Sequence, residues 1–354
     1  MTADLSAPWW RPDRFAYRKR NLELRARLVQ ATRAFFAAHD FVEVETPALQ
    51  ISPGMEPHLV AFATELLAPG ATTGQLLYLH TSPEFAMKKL LVAGMPRIFQ
   101  LARVFRNAER SATHHPEFTM LEWYRAAAGY EALMEDCEAL LHEIGRCAGG
   151  PFTWQGRHCD PARACVRLSV AEAFARYAGI DLLATAPDPE APSLELLAEA
   201  ARPLGIRPHP GDTWEDLFFR IFLDRIEPQL GIGQATILYD YPISMAALSR
   251  PKRDDPRVAE RFELYVCGLE LANAFGELTD PVEQRRRFER DMALKQQRYG
   301  VRYPIDEDFM AALAHGLPES AGIALGFDRL VMLAAGADRI EDVLWAPVVA
   351  PRGA

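Results

Sequence analysis

The stretch that decides the fold is IFQLARVFRNAERSATHHPEFTMLEWY, residues 98–124, in which a polar segment separates two apolar ones. The apolar spacing predicts strands over residues 98–105 and 118–124, and the polar residues between them predict a loop over 106–115. An arginine, Arg106, follows the first strand directly. The two strands together predict an antiparallel hairpin with a long polar loop.

One face of the second strand carries an unusual set of side chains. Because alternate residues of a strand share a face, Phe118, Glu122 and Tyr124 point the same way. An aromatic ring, a carboxylate and a phenol are odd for a core, but they suit a pocket that binds a ring and an ammonium group. The alternative is a half-exposed strand whose charges are incidental.

The remaining segments mix helical and strand patterns irregularly. Apolar periodicity predicts helices over 18–39, 130–147, 213–226 and 288–299, and strands over 41–45, 76–80, 235–239, 262–266, 269–274 and 322–327. Strands scattered among helices, with hairpins instead of regular βαβ units, predict an α+β fold around a mostly antiparallel sheet. The segment 149–212, rich in proline, alanine and glycine, is expected to be a variable, mainly helical insert.

The composition is typical of a globular protein with a substantial core. The 354 residues are 49% hydrophobic and 25% charged, with a net charge of −9. No stretch approaches the roughly 20 apolar residues that a membrane span needs, and the start, MTADLSAPWWRPDRF, lacks the apolar core of a secretory signal. We therefore expect a cytoplasmic protein without a membrane segment. The five scattered cysteines form no disulfide or zinc pattern and are expected to be reduced.

Acidic residues near the turn of a predicted hairpin form a second candidate site. If the chain turns at residues 267–268, Glu263 and Glu270 lie near each other across the hairpin. Neighbouring carboxylates repel unless a cation lies between them, and such oxygen ligands suit Mg²⁺ that bridges to nucleotide phosphates. Asn273 and Glu277 would extend the same polar surface. Two surface glutamates are the alternative interpretation.

Small residues alternate along the last predicted strand. Gly322, Ala324 and Gly326 leave one face bare, which lets a flat ligand or a phosphate approach the backbone. Arg329, at the start of the following helix, could then stack on a base or reach a phosphate. Tight packing of the helix on the strand is the alternative explanation.

Together these segments resemble the signature motifs of class II aminoacyl-tRNA synthetases. The similar segments are FVEVETP at 41–47 for motif 1, the Arg106 hairpin for motif 2 and GIALGFDR at 322–329 for motif 3. The lysyl branch is the most similar, through TSPE at 81–84, HHPEFTMLEWY at 114–124 and GLELANAFGELTD at 268–280. The resemblance runs from about residue 18 to the end and weakens over 149–215.

The region before motif 1 distinguishes two branches of this family. Lysyl-tRNA synthetases carry an N-terminal anticodon-binding barrel, whereas only 40 residues precede the motif 1 segment here, too few for a domain of the usual ~50 or more. The chain therefore resembles the stand-alone paralogues, elongation factor P–(R)-β-lysine ligases, which also lack the motif 3 glycine that Ala324 replaces. The resemblance implies a single catalytic domain over 1–354 without an anticodon-binding domain, ATP and Mg²⁺ as cofactors, (R)-β-lysine or lysine as substrate, elongation factor P as acceptor and a homodimer built through motif 1.

The resemblance also assigns roles to single residues. Arg106 and Arg329 would be catalytic: Arg106 would hold the α-phosphate and the substrate carboxylate, and Arg329 would sandwich the adenine with Phe118. Glu84 would meet the amino group near the substrate carboxylate. Further implied ATP contacts are Asn107, Ala108, His114, His115, Glu263, Leu264 and Gly326. Implied substrate contacts are Ser82, Pro83, Glu84, Glu122, Tyr124, Glu270, Asn273, Glu277 and Ala324, and Mg²⁺ is implied to bind Glu263 and Glu270.

Two positions depart from the family pattern, and two other functions stay open. Ala108, with Glu109 next to it, stands where the family usually has glutamate, and His115 stands where it has asparagine. A truncated synthetase that activates α-lysine or still charges tRNA is one alternative. A non-catalytic paralogue that binds an amino acid and regulates a partner is the other. The negative net charge, without an obvious basic arm, argues against tRNA as a partner.

Overall fold

The computed structural model describes residues 8–349 of the chain. Its α-helices are α1 (Pro12–Ala38), α2 (Glu84–Val92), α3 (Tyr130–Ala148), α4 (Val170–Ala178), α5 (Leu194–Ala201), α6 (Trp214–Ile221), α7 (Pro281–Tyr299), α8 (Glu307–Gly316) and α9 (Phe327–Ala335). Its strands are β1 (Val42–Glu43), β2 (Leu49–Gln50), β3 (Ala63–Leu66), β4 (Gln75–Leu79), β5 (Arg97–Phe105), β6 (Glu117–Ala126), β7 (Phe152–Trp154), β8 (Arg157–Cys159), β9 (Val166–Ser169), β10 (Thr236–Pro242), β11 (Val258–Val266), β12 (Leu269–Gly276) and β13 (Ser320–Gly326). The predicted single domain also includes residues 1–7 and 350–354, which lie outside the described residues.

A mixed sheet forms the centre of the fold. Within residues 8–349 it has eight strands, in the order β1-β5-β6-β13-β12-β11-β10-β9. The inner neighbours pair antiparallel, and the two outermost pairs, β1 with β5 and β9 with β10, are parallel. β5 and β6 form the predicted hairpin, with Ile98 opposite Tyr124 and Phe105 opposite Glu117. The prediction of an α+β fold around a mostly antiparallel sheet is confirmed.

Alternation along β6 separates the core from a polar face. Leu121 and Trp123 are buried beneath α1, α3 and α9. The Trp123 ring packs edge-on against Phe36 of α1, and its indole N–H donates to Asp136 of α3. The intervening residues of β6 point to the opposite side of the sheet. The packing of the apolar side chains thus fixes the direction of the polar ones.

The segment 149–212 is part of the central sheet as well as a helical region. It contains α4, α5 and the β7–β8 hairpin, and its strand β9 pairs with β10 at the edge of the main sheet. Helices α4, α5 and α6 bury an apolar cluster that includes Phe174, Leu197 and Phe218. The prediction of a mainly helical insert is corrected in this respect, because β9 extends the sheet itself.

A second layer covers one side of the polar face. Helices α2, α7 and α8 pack around Phe85, Phe288 and Phe309, beside a smaller sheet in the order β2-β4-β3. Helix α2 begins at Glu84 with Pro83 as its N-cap. No helix within residues 8–349 has the length and apolar character needed to cross a bilayer.

Candidate active site

A cavity of about 420 Å³ opens on the polar face of the sheet. Its wall includes many of the residues predicted for the site: Ser82, Glu84, Arg106, His114, His115, Phe118, Glu122, Tyr124, Glu270, Asn273, Glu277, Ala324, Gly326 and Arg329. Among the described residues, the cavity wall does not include five others that were predicted: Pro83, Asn107, Ala108, Glu263 and Leu264. Side chains from three separate sequence motifs therefore converge on one cleft.

A buried ammonium group lies between two of the predicted substrate carboxylates. Lys88 on α2 is 1% exposed, and its Nζ lies 2.5 Å from Oε1 of Glu84 and 2.5 Å from Oε2 of Glu277. Although burial opposes the charge, Glu277 and Glu84 raise the pKa of Lys88, so it remains an ammonium. Burial raises the pKa of Glu277 to about 7, while Lys88 acts in the opposite direction. We call Glu84, Lys88 and Glu277 the ion-pair triad.

Glu122 lies beside the ion-pair triad at the same end of the cavity. The Ser82 hydroxyl donates to its Oε1 at 2.5 Å, and the Tyr124 hydroxyl donates to its Oε2 at 3.4 Å. Burial, reinforced by Glu84, raises the pKa of Glu122 to about 8. A cation placed beside this carboxyl group would favour its ionised form. This end of the cavity therefore suits an ammonium group.

Gly322 allows two of these side chains to pack on the backbone of β13. A Cβ at this position would lie 2.1 Å from Cε1 of Tyr124 and 2.5 Å from Oε1 of Glu277. On the same strand, Ala324 pairs with Glu122 on one side and with Asn273 on the other. At Gly322, the bare face predicted for this strand is therefore covered by the side chains of Tyr124 and Glu277.

The other end of the cavity is aromatic and cationic. The guanidinium of Arg106 lies 5.3 Å from the centre of the Phe118 ring, and its Nε is buried without a hydrogen-bond partner in the described part of the chain. The Nη2 of Arg329 donates to Nε2 of His114 at 2.7 Å. Burial, followed by Arg329 and Arg106, lowers the pKa of His114 to about 4. With His114 neutral, the two guanidinium groups present positive charge beside an aromatic ring, which suits a nucleotide.

Arg329 also joins the motif 2 loop to the hairpin of β11 and β12. Its Nη1 donates to the carbonyl of Glu270 at 2.7 Å, and its Nε donates to the carbonyl of Thr113 at 3.2 Å. The neighbouring Asp328 accepts a backbone N–H of β6 at 2.8 Å and forms a buried ion pair with Arg25 of α1. These contacts hold Arg329 at the start of α9. Packing among α1, β6 and α9 in the core therefore positions a residue of the site.

The two predicted metal ligands have different surroundings. Glu263 accepts hydrogen bonds from the hydroxyls of Tyr241 and Tyr265, at 2.6 Å each, and from Arg261 at 2.8 Å. A β-bulge shifts the register so that Glu270 lies opposite Tyr265, which turns Glu270 to the face of Glu263. Burial, followed by the charge of Glu263, raises the pKa of Glu270 to about 7. Both carboxylates lie on one face of the hairpin, and the charge of Glu263 acts on Glu270, but only Glu270 reaches the cavity wall.

The chemistry of this carboxylate pair fits a magnesium ion. Two adjacent buried carboxylates repel, and Glu270 would release its proton most readily beside a cation. Mg²⁺ commonly takes one or two carboxylates and fills its other positions with phosphate oxygens and water. Within residues 8–349, no group of three or more Asp, Glu, His or Cys side chains is arranged to hold a metal. A cation here would therefore rely on oxygens of the nucleotide.

Several residues predicted to touch ATP are engaged within the protein. Oδ1 of Asn107 accepts the N–H of Ala108 at 2.8 Å, and Ala108 has a φ of +62°, a conformation that is uncommon for residues other than glycine. His115 donates from Nδ1 to a backbone carbonyl at 2.6 Å and accepts the N–H of Val348 at Nε2. The Leu264 side chain is buried in the core. Side-chain contacts of Asn107, His115 and Leu264 with a ligand would need these arrangements to change.

Sequence reasoning missed three charged residues that form or support this site. Lys88 lies four residues after Glu84 on a helix, a spacing that brings side chains together, so this signal was available. Arg25 pairs with Asp328, 303 residues further along the chain, and no local pattern connects them. Glu56 lies on the cavity wall in an irregular loop, where no periodicity indicates a direction.

The fold and the cavity define a class of protein. Residues 9–350 match the profile of the family described as tRNA synthetases class II (D, K and N). The chain belongs to this family, as the resemblance of its three motifs predicted.

Close relatives identify the branch within that family. The elongation factor P–(R)-β-lysine ligase of Proteus mirabilis is 43% identical over 331 residues, which are 93% of this chain and 95% of that protein. Ligases of the same name from Vibrio cholerae and Salmonella paratyphi B are each 42% identical, over 92% of this chain and 94% of those proteins. The chain is therefore a member of the elongation factor P–(R)-β-lysine ligase branch of the class II synthetases.

Proposed function

We propose that this chain is an ATP-dependent ligase that adenylates (R)-β-lysine and transfers it to the ε-amine of a lysine on elongation factor P. The observation that carries the proposal is the polarity of the cavity. Arg106, Phe118 and Arg329 form one group of the wall, and Glu122 forms another with the ion-pair triad. An aminoacyl adenylate of a diamino acid has the matching polarity, because its base and phosphate lie at one end and its ammonium groups at the other. The names of the relatives support the same substrate and acceptor.

In the first step, a carboxylate oxygen of β-lysine attacks the α-phosphorus of ATP, and the bond to pyrophosphate breaks. Arg106 holds the two reacting anions together and neutralises charge that develops on the phosphorus oxygens. The substrate supplies the nucleophile, so no side chain needs to form a covalent intermediate. When bound, Mg²⁺ held by Glu270 with Glu263 would supply further neutralisation of the phosphates.

In the second step, the ε-amine of the acceptor lysine attacks the carbonyl carbon of the mixed anhydride. AMP leaves with the electrons of the broken carbon–oxygen bond, the attacking nitrogen releases one proton to solvent, and an amide forms. The carboxyl groups at the far end of the cavity hold the ammonium groups of the β-lysyl moiety, which keeps its carbonyl in one place for the incoming amine.

Two assays test the proposal together. Pyrophosphate exchange into ATP should depend on (R)-β-lysine, and mass spectrometry should show a gain of one β-lysyl group on elongation factor P. Parallel reactions with α-lysine, and with tRNA in place of the protein acceptor, test the truncated-synthetase alternative. Exchange that no lysine isomer stimulates would contradict the proposal and favour a non-catalytic paralogue.

A homodimer in the cytoplasm is also proposed. Exposed apolar side chains concentrate around motif 1 and the smaller sheet: Val42, Leu49, Ile51, Val60, Leu66, Leu67 and Leu76 are each at least 38% exposed. Such a concentration is typical of a surface that a protein partner covers. Sedimentation equilibrium should give twice the mass of 39.6 kDa, and Leu76→Lys should shift the equilibrium toward the monomer.

A further inference from the structure

Glu56 lies on the wall of the same cavity, in the loop of residues 53–61 that α7 holds over the polar face. We propose that Glu56 is a specificity-determining residue that binds the β-ammonium group of the substrate. The inference rests on the proposed function and adds a residue that lies outside the three motifs. Three observations support it: the state of the carboxylate itself, the charge balance of the cavity and the anchoring of the loop.

The carboxylate of Glu56 is desolvated without full compensation. Its Oε2 is buried and has no hydrogen-bond partner within residues 8–349. Burial, followed by the charge of Glu84, raises the pKa of Glu56, and Arg106 acts in the opposite direction. A buried carboxylate oxygen without a partner is costly, and a ligand cation removes that cost. Proximity to Glu84 and Arg106 places Glu56 near the expected position of the substrate carboxylate.

Two carboxyl groups at this end of the cavity have no cationic partner within residues 8–349. Five carboxyl groups of the wall surround this region, from Glu56, Glu84, Glu122, Glu277 and Asp291, and Asp291 pairs with Arg290. Lys88 pairs with Glu84 and Glu277, and in the described part of the chain neither Glu56 nor Glu122 forms an ion pair. β-Lysine brings two ammonium groups. Glu122, with Tyr124, suits the distal one. Glu56 suits the one close to the carboxylate that Arg106 would hold, because Glu84, to which the resemblance assigned that group, is paired with Lys88.

The loop that carries Glu56 is anchored by buried polar contacts. Lys295 of α7 is 1% exposed, and its Nζ donates to the carbonyls of Pro57 and Leu59. The N–H of Ala61 donates to the hydroxyl of Tyr303 at 2.9 Å. The ammonium of Lys295 is thus committed to the loop backbone. This anchoring presents the Glu56 carboxylate in a fixed position, which reduces the entropy lost when an ammonium binds.

The test compares Glu56→Gln with wild type on two substrates that differ in one group. 6-Aminohexanoic acid keeps the carboxylate and the distal ammonium of β-lysine but lacks the β-amino group. In pyrophosphate exchange, we expect the variant to raise the KM for (R)-β-lysine by about tenfold or more, the loss of one charge-assisted contact. The KM for ATP should change less than about twofold. The inhibition constant of 6-aminohexanoic acid, measured as a competitor of β-lysine, should not change.

Two controls separate recognition from folding. Glu289→Gln removes an exposed carboxylate from α7 and should leave every constant at its wild-type value. The ligand-free Glu56→Gln protein should unfold at or above the wild-type temperature, because a neutral amide replaces an uncompensated buried carboxylate. A lower unfolding temperature, a β-lysine KM within twofold of wild type, or equal losses for both compounds would overturn the inference. Absence of β-lysine-dependent exchange in the wild type would instead contradict the proposed function itself.

Discussion

Replacing Gly322 with alanine should damage the amino-acid end of the cavity and spare the nucleotide end. The added Cβ would lie 2.1 and 2.3 Å from two ring carbons of Tyr124 and 2.5 Å from a carboxylate oxygen of Glu277. Both side chains are at most 3% exposed and lie on the cavity wall, so the added methyl group would displace them within the site. Overpacking of this kind typically costs ~1–3 kcal/mol. If the displaced groups bind substrate, that cost corresponds to a loss of roughly 5- to 150-fold in affinity for β-lysine.

Pyrophosphate exchange measures this effect when each substrate is titrated in turn. Gly322→Ala should raise the KM for β-lysine within that range and leave the KM for ATP nearly unchanged. The matched control is Gly326→Ala on the same strand, whose Cβ would approach no atom more closely than 3.5 Å. The control should unfold like wild type, and any loss it shows should appear in the KM for ATP. Equal KM values for β-lysine in Gly322→Ala and wild type would refute the reasoning.

Other perturbations test separate parts of the site. Arg25→Met should lower the free energy of unfolding by about 3–5 kcal/mol in urea denaturation, because it leaves the Asp328 carboxylate buried and unpaired; an unchanged midpoint would contradict this. The pKa of Glu122 is raised to about 8 in the folded protein, whereas the unfolded chain loses this proton near pH 4.5. The contribution of Glu122 to the free energy of unfolding should therefore fall as pH rises between those two values. Glu122→Gln should remove a slope of up to about 1.4 kcal/mol per pH unit there, and identical slopes in pH-dependent denaturation would disprove it. Glu270→Gln should raise the Mg²⁺ concentration needed for half-maximal exchange by roughly 10- to 100-fold or more, since loss of a group that only supports a metal ligand already has an effect of that size. An unchanged Mg²⁺ concentration would show that Glu270 does not bind the metal.

Local periodicity was sufficient to predict most of the central sheet. The hairpin of β5 and β6 appeared in the sequence because its strands alternate regularly and its loop is long and polar. Strand β9 was missed because it has four residues in a segment rich in proline and alanine, and its partner β10 lies far along the chain. Such pairing depends on the packing of α4, α5 and α6 beneath the strand, which no short window of sequence contains.

The same distinction applies to the candidate site. Some of its residues could be predicted from local sequence, and others are recognised only through contacts between distant segments. Glu84, Arg106 and Glu122 were predicted because motifs surround them. Regular alternation would have placed Glu270 and Asn273, three residues apart, on opposite faces of β12; the β-bulge brings both to the cavity. The Lys88 ion pairs combine a helical neighbour, Glu84, with Glu277, which is distant in the sequence. Contacts between residues that are distant in the sequence can be recognised only when the fold is known.

A single cleft that holds a nucleotide beside a diamino acid is the central claim, and calorimetry with a stable mimic of the intermediate tests it most directly. The ligand is β-lysyl sulfamoyl adenosine, in which a sulfamate replaces the acyl phosphate. We expect one site for each chain, an affinity roughly 10²-fold or more above that of ATP or β-lysine alone, and displacement by either substrate. Binding no tighter than that of adenosine, or binding that β-lysine fails to displace, would show that the two ends of the cavity do not act on one molecule.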